Sequence, residues 1–150
     1  MTFTPTDIFL LTALLPTTPN QQRLPELIST LEINWPLAVQ RSLASGTASL
    51  FRFNLSRTGV LRQVPQQAQE ALAKESQAWA ARQQIYVSET RRLMAALAAQ
   101  GIASLPLKGA ALMLGDYYPL PGLRAAGDVD LLVPPEQCEA AFAQAQAHGY

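Results

Sequence analysis

The hydrophobic period of this chain changes at Gly101. From about Gln66 to Gln100, Leu72, Trp79, Tyr86 and Leu93 recur at heptad spacing, and Ile85, Met94 and Leu97 join them. That spacing predicts one long amphipathic helix, with Glu75, Arg82, Glu89 and Arg91 on its polar face and Gly101 as its C-terminal cap. Beyond Gly101 the apolar runs shorten and alternate with breakers. The last of them, Gly127-Asp-Val-Asp-Leu-Leu-Val133, admits two aspartates. Aspartate is disfavoured in strands, so two of them leading into an apolar run need a reason. Holding a divalent cation beside a phosphate supplies one.

The segments on either side of the long helix differ in kind. From Thr6 to about Gly59 the pattern predicts short helices. Pro16 to Pro19 with Asn20 reads as a loop, Trp35-Pro36 as a helix start, and Gly46 and Gly59 as stops. Leu24, Leu27, Ile28 and Leu31 share a helical face, and Leu37, Val39 and Leu43 do so more loosely. Leu50, Phe51, Phe53 and Leu55 fit helix or strand. After Gly101, a strand is expected over Ile102 to Leu107, a helix from Ala110 to about Tyr117, and a loop at Pro119-Leu-Pro-Gly122. A second strand over Asp128 to Val133 and a helix opened by Pro134-Pro135 and ending at Gly149 complete the pattern. The expected class is α+β, with residues 1–65 a helical region and residues 66–150 the first part of a sheet-bearing core. Two strands alone are marginal. A third is therefore expected after the last helix, which makes this chain the N-terminal portion of a longer protein.

Charge narrows the partners. Lys plus Arg and Asp plus Glu both number 11, so no global field attracts nucleic acid or an anionic membrane, and any anion must be held by a local cluster. A polynucleotide partner is disfavoured. Lys74 and Lys108 are the only lysines, Cys138 the only cysteine and His148 the only histidine. Internal disulfides and cysteine-based zinc sites are thereby excluded, and a reducing compartment is expected. The apolar run Ile8 to Leu15 is too short to span a bilayer and follows Asp7 rather than a basic residue. Cytoplasmic location with no membrane association is the expectation.

In a strand, Asp128 and Asp130 would share one face, about 7 Å apart along the backbone. Two ionised carboxylates repel, and a magnesium ion would reverse that cost while leaving positions for phosphate oxygens and water. Lys108-Gly109 falls at a strand-to-helix turn, where glycine permits close backbone approach, free amides favour an anion and the lysine adds a compact positive charge. Arg124 could present a bidentate fork to the same phosphates. Singly, each group has a plain structural reading: a solvated strand end, a surface lysine, a turn glycine, an arginine paired with Asp128. Their order favours the joint one. Tyr117-Tyr118 is expected to pack on the sheet, Cys138 and Phe142 to enter the core, and His148 to sit at a helix end.

Leu107-Lys108-Gly109, Tyr117-Tyr118, Arg124, Asp128-Val-Asp130-Leu-Leu-Val and Gly149-Tyr150 together resemble an uncharacterised bacterial nucleotidyltransferase family, within the DNA polymerase β-like nucleotidyltransferase superfamily. The resemblance covers about Gln66 to Tyr150. It implies a mixed sheet flanked by helices, Mg2+ held by Asp128 and Asp130, a nucleotide turn at Lys108 and Gly109, and a phosphate contact at Arg124. It implies transfer of a nucleotidyl group from a nucleoside triphosphate to an acceptor hydroxyl of a small molecule, sugar or protein, with release of pyrophosphate. Members generally use a third carboxylate on a later strand, so this chain alone is expected to be inactive or badly impaired. Two rival readings keep the sequence but not the chemistry: a helical interaction module that docks a partner on the Gln66–Gln100 helix, and an antitoxin-like regulatory partner built on the same fold.

Overall fold

The computed structural model describes residues 3–15, 18–115 and 117–150. Among these are seven α-helices and two short strands, which gather into two compact units: Met1–Ala80 with Gly122–Ala125, and Ala81–Pro121 with Ala126–Tyr150.

The first unit is helical. Helix α1 (Pro5–Leu14) starts at Thr4, whose hydroxyl accepts from Asp7 N while the Asp7 carboxylate accepts from Thr4 N, a reciprocal capping box. Helix α2 (Thr18–Thr30) takes in Pro19 and Asn20, which the sequence assigns to a loop. The reason is positional: Pro19 stands in the first turn, where its missing N–H is no loss. Pro16 and the following Thr17 lie outside the described residues. Helix α3 (Trp35–Ala44) is capped by Asn34, whose side chain accepts from Leu37 N, and helix α4 (Ala48–Arg57) resolves the ambiguous Leu50–Leu55 run as helix. Gly46 and Gly59 terminate these two helices with φ of 66° and 75°, as expected.

Phe9, Leu24, Phe51, Leu55 and Leu72 are fully buried at the centre of this unit. Phe9 meets Trp35 edge-on at 5.6 Å and Phe51 at 6.2 Å, the arrangement that places a positive ring edge against a negative face. Asn54 is buried and donates to Ala13 O at 2.7 Å, which satisfies a carbonyl near the end of α1. Arg41 pairs with Asp7. The short Gly122–Ala125 segment joins the unit with Leu123 buried.

Helix α5 (Gln66–Ala99) contributes to both units and matches the predicted long helix. Gly101 (φ 72°) ends it: Gly101 N donates to Ala98 O and Ile102 N to Leu97 O, the two bonds of a Schellman motif. Leu72 and Leu97 are buried as expected, but Ile85 is 62% exposed. It lies one residue, about 100° of rotation, from the Leu72–Trp79–Tyr86–Leu93 line.

In the second unit, Leu97, Ile102 and Ala141 are buried, and Leu93, Leu131 and Val133 pack around them. Strand β1 (Leu105–Pro106) pairs with β2 (Leu131–Leu132), Leu105 opposite Leu132 and Pro106 opposite Leu131. The pair is antiparallel, so the mixed sheet expected from sequence is not found among the described residues. Both strands are also shorter than predicted. The ladder continues one step, with Leu107 N donating to Asp130 O at 2.9 Å, and stops because helix α6 (Lys108–Leu114) begins at the next residue and leaves Asp128 and Val129 nothing to pair with. Helix α7 (Cys138–Ala147) follows a 3-10 turn at Pro135–Gln137. Cys138 is exposed and Phe142 is 65% exposed, contrary to expectation; Ala141 is the α7 residue that enters the core. Tyr117, expected to pack on the sheet, is 72% exposed.

Candidate active site

The site is built on the turn from β1 into α6. Leu107 is extended (φ −116°, ψ 167°), and Lys108 then adopts φ 47°, the positive-φ conformation otherwise held by glycines among the described residues. A non-glycine residue there is strained, and such strain persists where its surroundings enforce it, frequently at functional turns. Two backbone bonds do the enforcing: Leu107 N to Asp130 O on one side, and Ala111 N to Leu107 O at 3.2 Å on the other.

This conformation brings Lys108 Nζ to 3.0 Å from Asp130 Oδ2. The Lys108 side chain is 70% exposed and that of Asp130 34% exposed, so the pair adds little to stability. Its effect is electrostatic. The hydrogen bond and charge of Asp130 push the Lys108 ammonium above its usual range, the slight desolvation opposes this, and the charge of Asp128 adds to the rise. Asp130 is thus the carboxylate in contact with the ammonium, and the charge of Asp128 is the weakest of these influences.

Gly109 is buried in the first turn of α6 beside Ala110. Arg124 is exposed and belongs to the first unit. Among the described residues no three His, Cys, Asp or Glu side chains converge as metal ligands. Two carboxylates nevertheless suit Mg2+, a hard cation that takes one or two protein oxygens and completes its octahedron with water and phosphate.

The sequence gives no sign of the strained Lys108 backbone or of the direct Lys108–Asp130 pair, because both depend on which residue of β2 stands opposite Leu107. A second polar cluster also went unpredicted. On α5, Arg92 pairs with Glu89 at 2.7 Å, donates to the Tyr150 hydroxyl at 3.0 Å and lies 5.2 Å from the centre of its ring; the Tyr150 hydroxyl donates to Glu89. The Glu89–Arg92 spacing was the available signal.

The sequence model of a family described as uncharacterised nucleotidyltransferase matches residues 32–150, which include the whole Lys108–Asp130 region. The chain belongs to this family. No curated protein and no solved structure matches it. No described helix of this family member is long and apolar enough to cross a membrane.

Proposed function

We propose that the protein transfers a nucleotidyl group from a nucleoside triphosphate to an acceptor hydroxyl, with Mg2+ held by Asp128 and Asp130. The observation that carries this reading is the contact of Asp130 with Lys108 at a strained strand-to-helix turn, two residues after Asp128 in the segment leading into β2 and inside the region matched by the family.

Each group has a task in that reaction. Asp128 and Asp130 offer hard oxygen donors, and the bound cation would neutralise charge on the phosphates and favour departure of pyrophosphate. Lys108, raised in basicity, remains protonated at neutral pH and serves as a positive group for triphosphate oxygens once its hold on Asp130 is exchanged. The acceptor oxygen forms a bond to the α-phosphorus, the bond from the α-phosphorus to the bridging β-phosphate oxygen breaks to release pyrophosphate, and the hydroxyl proton passes to solvent. Positioning and charge neutralisation dominate such a transfer.

The test is calorimetric titration of the full-length protein with nucleoside triphosphates, with and without magnesium. Saturable binding that needs magnesium and weakens by about tenfold or more in Asp128→Asn and in Asp130→Asn is expected. Unchanged affinity in both variants would remove the reading and favour a non-catalytic interaction module.

A further inference from the structure

We infer that the second unit carries an anion-binding groove for the phosphate or carboxylate group of the acceptor. This inference rests on the nucleotidyl-transfer reading for its ligand, but on separate residues for its site. A groove of about 410 Å³ is lined by Gln83, Gln84, Val87, Ser88 and Arg91 of α5 and by Met113 of α6. Its size falls in the range of small-molecule clefts.

The lining is ordered. Gln84, Ser88 and Arg91 stand on successive turns of one α5 face and supply an amide, a hydroxyl and a guanidinium. Arg91 is exposed and enters no ion pair among the described residues. A guanidinium with its fork of donors open, beside a hydroxyl one turn away, is the arrangement that receives a carboxylate or phosphate with two parallel bonds. Val87 and Met113 form the apolar part of the wall and suit the carbon skeleton that bears the anion.

Met113 also relates the groove to the reaction site. It lies on the same helix as Lys108, five residues on, which is about 7.5 Å along the axis. A small acceptor held by its anionic end at Arg91 can therefore extend along α6 toward the Lys108 turn. Neutral overall charge makes such a local cation the means of selecting an anionic acceptor from neutral ones.

Titration of the full-length protein with inorganic phosphate, and separately with acetate, followed by backbone amide NMR, tests this site. Saturable shifts confined to Val87–Arg91 and Met113 in at least one titration are expected. They should weaken about tenfold or more in Arg91→Ala, survive in Asp130→Asn, and be partly restored in Arg91→Lys. Linear, unsaturated shifts with both anions, or saturation indifferent to Arg91→Ala, would overturn the groove. Loss of magnesium-dependent nucleotide binding with phosphate still saturating at Arg91 would instead overturn the transfer reading and leave an anion site of other purpose.

Discussion

Lys108 joins two demands that different amino acids satisfy best, a positive φ and a positive charge. Glycine meets the first without strain but lacks the second. Lys108→Gly is therefore expected to leave the thermal midpoint unchanged or raise it by up to about 5 °C, while triphosphate affinity falls. A scanning-calorimetry midpoint well below wild type would show that the side chain, not the backbone, holds the turn. The Tyr150 cluster obeys a different residue-level logic. The hydrogen bond from Tyr150 holds the Glu89 carboxyl below its usual 4.5, with Arg92 assisting, so its contribution is present above pH 4.5 and lost as pH falls through the lowered value. Burial and the bond to Glu89 raise the Tyr150 hydroxyl above its usual 10.0, so its contribution is present below pH 10.0 and lost as pH rises through the raised value. The stability difference between wild type and Tyr150→Phe, measured by urea unfolding, should be flat from about pH 5 to 9 and shrink on both sides. A difference independent of pH would mean that ring packing, not the hydroxyl, makes the contact.

At the scale of elements, what was legible depended on how local the cause was. Helix ends marked by glycine were readable because the left-handed cap is a property of one residue: Gly46, Gly59, Gly101 and Gly149 all have positive φ at or just beyond a helix end. The last repeats the two-bond cap of α5, with Gly149 N donating to Gln146 O and Tyr150 N to Ala145 O. Strand lengths were not readable, because β2 extends only as far as β1 can meet it and Lys108 turns β1 into helix. Gly122 shows a further limit. Its φ is 80°, like a helix cap, yet a Cβ there would come within 2.5 Å of Ala80 N in α5, whereas one at Gly101 would meet nothing within 4 Å. Gly101→Ala should cost about 1 kcal/mol of conformational strain alone, and Gly122→Ala about 2 kcal/mol or more. Equal losses in denaturant titrations would show that the Gly122 loop relaxes away from α5.

For the whole molecule, hydrophobic patterning identified the core of the first unit well and that of the second poorly. Leu24, Leu27 and Leu72 are buried where helical spacing put them. In the second unit a small residue, Ala141, is buried while Phe142 beside it, and Leu105 and Leu132 across the strand pair, stand more than half exposed. Hydrophobicity alone does not say which side of a two-stranded ribbon faces inward. The candidate site was legible in its residues, Lys108, Asp128 and Asp130, because their chemistry is written in their types; its geometry was not, because the Lys108–Asp130 meeting joins two segments through a register set by Leu107 and Asp130.

That meeting has a further outcome for how ligands would arrive. While the ammonium rests on the carboxylate, neither charge is fully on offer. A dication arriving at Asp130 would release Lys108, and an anion drawing Lys108 away would bare Asp130, so each newcomer eases the way for the other. On this view the pair works as a mutual placeholder that disfavours half-filled states.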